Sequence, residues 1–171
     1  MSPDTYTFTT SSTLDAKVDA VYFYRASSLP KGLYPQVEAA VKDFIDASRI
    51  KHVDKEGLYL QTLEAMANIV VNKGAGDLWL GMQNGKLLVY IMANVLREVD
   101  GKLTYWVSQG WVHRDMRGSP IVKDWWNQVR ERAKECFCKH VVVVSSRGTD
   151  AYCRWLGPGY HKHLTILKED L

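Results

Sequence analysis

The pair Asn84-Gly85 constrains this chain more than any other feature. Both residues tolerate positive φ, and the pair separates two apolar runs, the arrangement of a two-residue β-hairpin. Its arms are predicted at Asp77 to Gln83 and Lys86 to Val95. In the returning arm Leu87, Val89, Ile91 and Val95 fall on one side, and Leu88, Tyr90, Met92 and Leu96 on the other. Apolar residues on both sides predict a central strand covered on both faces. Asp100-Gly101 marks a second hairpin, leading into a strand over Lys102 to His113, where Gly110 signals a bulge or a close backbone approach.

The stretch that follows changes character. A polar turn, Arg114-Asp115-Met116-Arg117-Gly118-Ser119, precedes a helix starting at Pro120, and Val141 to Val144 is too short for anything but a buried strand. Strand, turn, helix and strand form a βαβ unit, whose two strands run parallel. The first amides of such a helix lack partners and lie at the carboxyl end of the preceding strand, so the turn from Arg117 to Pro120 is the expected seat of a phosphate-bearing ligand. The helix carries Ile121, Trp125, Val129 and Ala133 at four-residue spacing. Adjacent Trp125 and Trp126 point about 100° apart on a helix, which predicts that one of them is exposed as a contact residue.

Two helices are predicted upstream. Pro35 suits a first helical turn, and Val37, Ala40, Val41, Phe44 and Ile45 share a face. Asp54 is a suitable N-cap for a second helix with Leu58, Leu60, Leu63, Met66, Ala67, Ile69 and Val70 as its apolar side, ended by the run Asn72 to Gly76. Before them, residues up to Ser12 alternate Thr with Tyr6 and Phe8 as an edge strand or an ordered arm, and Lys17 to Arg25 alternates partly as a first strand. Ser27 to Gly32 reads as a loop. After the valine run, Asp150 to Leu156 fits a short helix and Tyr160 to Leu167 a last strand.

With 171 residues, 46% of them hydrophobic and 24% charged, the chain suits one globular domain with a sizeable core. A net charge of +3 favours anionic ligands mildly and falls short of a nucleic-acid binder's basic stripe. Lys123, Arg130, Arg132 and Lys134, with Arg147 and Arg154, offer such a face only in outline, and a solvated helix surface is the commoner meaning. No apolar run reaches the length of a membrane span, and the opening residues do not read as a signal peptide. Three cysteines do not make a disulfide framework, so a reducing, cytoplasmic setting is expected. A zinc site can be drawn from Cys136, Cys138, His140, His161 and His163, but Cys-x-Cys is too tight a spacing, and no metal is expected. Ser145-Ser146-Arg147 lacks the turn of a serine hydrolase.

The order of elements, with Val112-His113 leading into Arg117-Gly118, the strand Val141 to Ser145, and the run Ala151-Tyr152-Cys153-Arg154-Trp155-Leu156-Gly157, resembles the GNAT superfamily of acyl-CoA-dependent N-acetyltransferases. The resemblance spans residues 33 to 168. It implies a single α/β (α+β) domain over residues 1–171, with residues 1–30 as an N-terminal strand or arm. Its mixed, mainly antiparallel sheet would be flanked by helices. It further implies that the strand ending at His113 splays from the next one, that acetyl-CoA lies in the gap, and that turn amides hold its pyrophosphate.

Carried over residue by residue, Arg117, Gly118 and Ser119 would hold the pyrophosphate. The backbone around Trp111, Val112 and His113 would bind the pantetheine amides, and Ser146 would line the same site. The family's turn runs Arg or Gln, two residues, Gly, one residue, then Gly or Ala. Here Pro120 and Val122 replace the two small residues, removing one amide donor and adding a branched side chain. A catalytic carboxylate is absent from the strand Lys102 to His113, leaving Glu98 and His113 as candidate bases. Tyr152 is the candidate acid for the leaving thiolate, one residue before the expected place, which Cys153 holds. The implied partners are acetyl-CoA and a primary amine, a protein lysine among the candidates; a homodimer is one open assembly, since the sequence does not encode the oligomeric state. The rival expectation is a GNAT-like fold kept as a non-catalytic binding or structural protein.

Overall fold

The computed structural model describes residues 21–48, 54–72 and 74–143. Among these residues five strands form one sheet in the order β1-β2-β3-β4-β5: β1 (Val21–Arg25), β2 (Asp77–Gln83), β3 (Lys86–Arg97), β4 (Leu103–Val112) and β5 (His140–Val143). The first three pairings are antiparallel and the last is parallel. Helices α1 (Tyr34–Ala47) and α2 (Lys55–Val71) cover one face of the sheet, and α3 (Pro120–Glu135) covers the other. This is the expected α/β architecture, with the parallel β4–α3–β5 unit in place. The expected arm, the helix from Asp150 and the last strand lie outside the described residues.

Local chemistry accounts for each boundary. Asn84 and Gly85 take φ of 52° and 76°, which closes β2 onto β3 in a two-residue turn. The Asp54 carboxylate accepts the Gly57 N–H at 3.0 Å and starts α2. Pro35 sits in the first turn of α1, after a short 3₁₀ turn at Lys31–Leu33 inside what reads as a loop.

Strand β3 is central, as its two apolar faces require, but its sides are not the simple alternation expected. Gly81 pairs with Val89 while Met82 pairs with Leu87, so Leu88 is an extra residue that shifts the phase. Leu87 therefore joins Tyr90 and Met92 under α1 and α2, and Leu88 joins Val89 and Ile91 under α3. The bulge expected at Gly110 falls instead at Ser108, because Met92 pairs with Gln109 and Ala93 with Val107, whereas Gly110 pairs regularly with Ile91.

The helices bring two further corrections. On α2, Leu60 is 58% exposed and Ala67 is exposed, while Thr62 is buried. On α3, Trp125 and Trp126 are both buried, at 4% and 6% exposure. With Val122, Val129 and Ala133 they form a stripe broad enough to hold adjacent residues, and Ile121 is only half-buried. Trp125 stacks on Phe23 at 5.3 Å, and Phe23 on Trp79 at 5.1 Å. Gly81 makes room for this stack, since a Cβ there would lie 2.7 Å from the Trp125 ring.

Polar groups pin α3 to the same face. Arg132 Nε donates to Asp77 Oδ2 at 3.1 Å, as does the Tyr105 hydroxyl at 2.8 Å, and Trp79 Nε1 donates to that hydroxyl at 3.1 Å. Arg25 completes the cluster at 3.3 Å from Asp77. Arg132 and Lys134 are thus committed to acidic neighbours, Lys134 to Glu131, rather than forming an unpaired basic face. No helix among the described residues is long and apolar enough to cross a membrane.

Candidate active site

Strand β4 delivers the chain to the corner that the sequence singles out. The His113 N–H donates to Leu88 O at 2.8 Å, so in antiparallel alternation the backbone groups of Trp111 also face β3, and those of Val112 face the opposite edge. A 3₁₀ turn at Arg114–Met116 follows. Gly118 then takes φ of +84°, a conformation that favours glycine, and Ser119 enters α3 in the extended conformation usual before proline.

Most amide donors at this corner are already engaged. Met116 donates to His113 O at 2.9 Å, Arg117 to Arg114 O at 3.3 Å, Ser119 to Met116 O at 3.0 Å and Val122 to Ser119 O at 3.2 Å. Pro120 has no N–H. The amides of Gly118 and Ile121 make no hydrogen bond among the described residues. The Ser119 hydroxyl does not cap the helix, and its first turn holds no acidic residue. The positive end of α3 is therefore uncompensated, the electrostatic condition for an anion. The Val122 side chain packs into the core, so it does not crowd the corner as its position in the motif implies.

Not every predicted residue converges there. Val112, His113, Arg117, Gly118 and Ser119 do. Arg117 folds back, its Nε donating to Val112 O at 3.3 Å, so guanidinium and strand edge share one place. Trp111 turns inward: its ring stacks on Tyr90 at 6.1 Å and its Nε1 donates to Asp43 Oδ2 at 2.5 Å. His113 caps the 3₁₀ turn, its Nδ1 accepting the Asp115 N–H at 3.4 Å. Glu98 accepts a hydrogen bond from the Thr104 hydroxyl at the other end of β4. Nine residues at ~3.3 Å each place Thr104 about 30 Å along the strand from His113. Tyr152 and Ser146 lie outside the described residues.

Near the bulge, a second feature emerges that sequence reasoning missed. A cavity of about 350 Å³ opens between α2 and the β3–β4 ladder, floored by Ile69 and Met92 and bordered by Thr62, Ser108 and Gln109. Gln109 Nε2 donates to Thr62 Oγ1 at 2.9 Å, and the Tyr90 hydroxyl donates to Gln109 Oε1 at 3.3 Å. Burial, then the Asp43 charge, raises the Tyr90 phenol well above its ordinary range, so it stays a donor. Two signals were available: Thr62 interrupts an apolar helix face, and Gln109 shares a strand face with Trp111 and His113. Asp43 gave none.

Among the described residues no group of three side chains is arranged to hold a metal ion. Cys136 and Cys138 are half-buried, and burial pushes both thiols up, away from the reactive thiolate.

No family model matches the sequence, and no curated protein sequence does. Solved structures do match the fold. An aminoglycoside N-acetyltransferase in complex with CoA superposes with a TM-score of 0.65 at 10% identity, over 91% of this chain and 99% of that one. A ribosomal-protein-alanine N-acetyltransferase from Brucella melitensis gives 0.60 at 16% identity, over 88% of this chain and 100% of that one. An acetyltransferase from Trypanosoma brucei gives 0.60 at 14% identity, over 88% and 99%. The chain shares the fold of these acetyltransferases. The shared architecture extends over nearly the whole length of each of these enzymes.

Proposed function

We propose that the protein transfers an acetyl group from acetyl-CoA to a primary amine. The observation that carries this reading is the pair of amides, Gly118 and Ile121, that have no partner among the described residues, at the start of α3 beside the outward-facing backbone of Val112. In a GNAT fold that corner is where a diphosphate and a pantetheine arm would be bound. Acetyl-CoA supplies a thioester: the amine nitrogen forms a C–N bond to its carbonyl carbon, the C–S bond breaks, and the thiolate leaves.

The chain's own residues then have distinct tasks. Gly118, Ser119 and Arg117 hold the phosphates, the last by exchanging its bond to Val112 O for a charge-assisted one. Val112 offers an N–H and a C=O to the amides of the arm. Tyr152 gives its proton to the leaving sulfur. Of the two candidate bases, His113 stands at the phosphate corner, about 16 Å along β4 from the bulge at ~3.3 Å per residue. Glu98 is bonded to Thr104, about 13 Å from the bulge on the other side at the same rise. An amine at the bulge therefore passes its proton to either one only through water.

The missing N–H of Pro120 supports a second reading, a GNAT fold retained as a binding protein without turnover. Isothermal titration with acetyl-CoA, followed by acetylation assays on primary amines, separates the two. Binding and turnover, both reduced by Arg117→Ala and turnover alone by Tyr152→Phe, are expected. Absence of binding at about 1 mM acetyl-CoA, an affinity weaker than about 4 kcal/mol, would refute the proposal.

A further inference from the structure

The cavity beside the bulge has a composition that narrows the acceptor. Its polar wall consists of Gln61, Thr62 and Asn68 from α2, Asn94 from β3, and Ser108 and Gln109 from β4. Each is an uncharged amide or hydroxyl, and no Asp, Glu, Lys or Arg lines the cavity among the described residues. A body rich in ammonium groups entering it would lose hydration without meeting a carboxylate. A carboxylate-bearing body would meet no guanidinium or ammonium among the described lining residues. A Gln or Asn side chain carries both a donor and an acceptor for an amide. Gln109 already uses one of each toward Thr62 and Tyr90, and the Asn68 oxygen accepts from Asn72, so Gln61 is the clearest partner for a ligand amide.

Position ties the cavity to the anion corner. Ser108 and His113 are five residues apart on β4, about 16 Å at ~3.3 Å per residue. An arm anchored by its phosphates at the start of α3 and lying along the β4 edge therefore carries its far end to the bulge. Gln109, Trp111 and His113 share one face of β4, so the cavity and the corner are the two ends of one strip. The volume, about 350 Å³, lies at the small end of ligand pockets and suits a short group rather than an extended chain.

We infer that this cavity is the acceptor subsite, and that the acceptor is a primary amine carried on a neutral, amide-bearing body, such as an amino-acid amide or the first residues of a peptide, rather than a polycation. The inference rests on the acetyltransferase reading for its chemistry, but occupancy of the cavity can be measured without acetyl-CoA.

Ligand-observed NMR with the cofactor-free protein compares alanyl-alaninamide with kanamycin. Alanyl-alaninamide should show saturation transfer that is lost in Ala65→Phe, which fills the cavity from α2, while kanamycin shows none. In acetylation assays the neutral amide should exceed kanamycin in kcat/KM by about tenfold or more. Gln61→Glu, at an exposed position on the rim, should shrink that ratio by about fivefold by giving an ammonium a partner. Preference for kanamycin, or amide binding unaffected by Ala65→Phe, would overturn the assignment. Loss of acetyl-CoA binding with amide binding intact would remove the enzyme reading and leave the cavity a binding site for neutral amides.

Discussion

Restoring an amide at the start of α3 is the sharpest available perturbation, because two of its consequences have opposite signs. Pro120 is the first helical residue, and its ring nitrogen occupies the place of an N–H that would point out of the helix end beside those of Gly118 and Ile121. Pro120→Ala adds that donor without altering the helix register. A hydrogen bond to a charged partner contributes about 1.5–3 kcal/mol. At the lower end this tightens acetyl-CoA binding about tenfold. The same change relaxes the unfolded chain and costs the unliganded protein about 0.4–1 kcal/mol. For a chain of this size that lowers the melting temperature by about 1–4 °C. The variant should therefore melt earlier alone and gain more from saturating acetyl-CoA, since stabilisation grows with the logarithm of ligand over Kd. Titration calorimetry and thermal melts, each with acetyl-CoA and with pantetheine, read the two effects separately. Pantetheine lacks the diphosphate and should bind the variant and the parent equally. An unchanged acetyl-CoA affinity, or an equal gain for pantetheine, would refute the claim that the helix start addresses phosphate.

Two further outcomes test the scaffold. Gly81→Ala places a methyl 2.7 Å from the Trp125 ring, which cannot retreat without breaking its stack on Phe23, so a loss of about 1–3 kcal/mol and a weakened near-ultraviolet tryptophan signal are expected; an unchanged melt would show that the stack is not held as described. Burial raises the phenols of Tyr90 and Tyr105 well above their ordinary value of 10.0, so above pH 10 the native state keeps protons that the unfolded chain has released. Stability should be flat in this respect below pH 10 and fall as pH rises beyond it, a slope in urea midpoints that Tyr90→Phe and Tyr105→Phe should each reduce; an unaltered slope in both would show that other groups control alkaline unfolding.

What could be read from the residues follows from how far apart the interacting groups lie. The β2–β3 hairpin is encoded in two adjacent residues that accept positive φ, and the anion corner in the run from Arg114 to Ser119, so both are legible without tertiary context. The phase of β3 is not, because the choice of Leu88 as the bulged residue is made by its pairing with β2. Nor is the fate of Trp126, which depends on how wide a groove Phe23, Trp79 and their neighbours leave for α3. The acceptor side is the extreme case. Gln109 meets Thr62 across 47 residues and Trp111 meets Asp43 across 68, and neither member of either pair carries a local signature. The proposed phosphate site relies on backbone amides, which one turn can present, so it leaves a contiguous motif even when a proline interrupts it. The proposed acceptor subsite is gathered from side chains on α2, β3 and β4, so it becomes visible only once those elements are packed together.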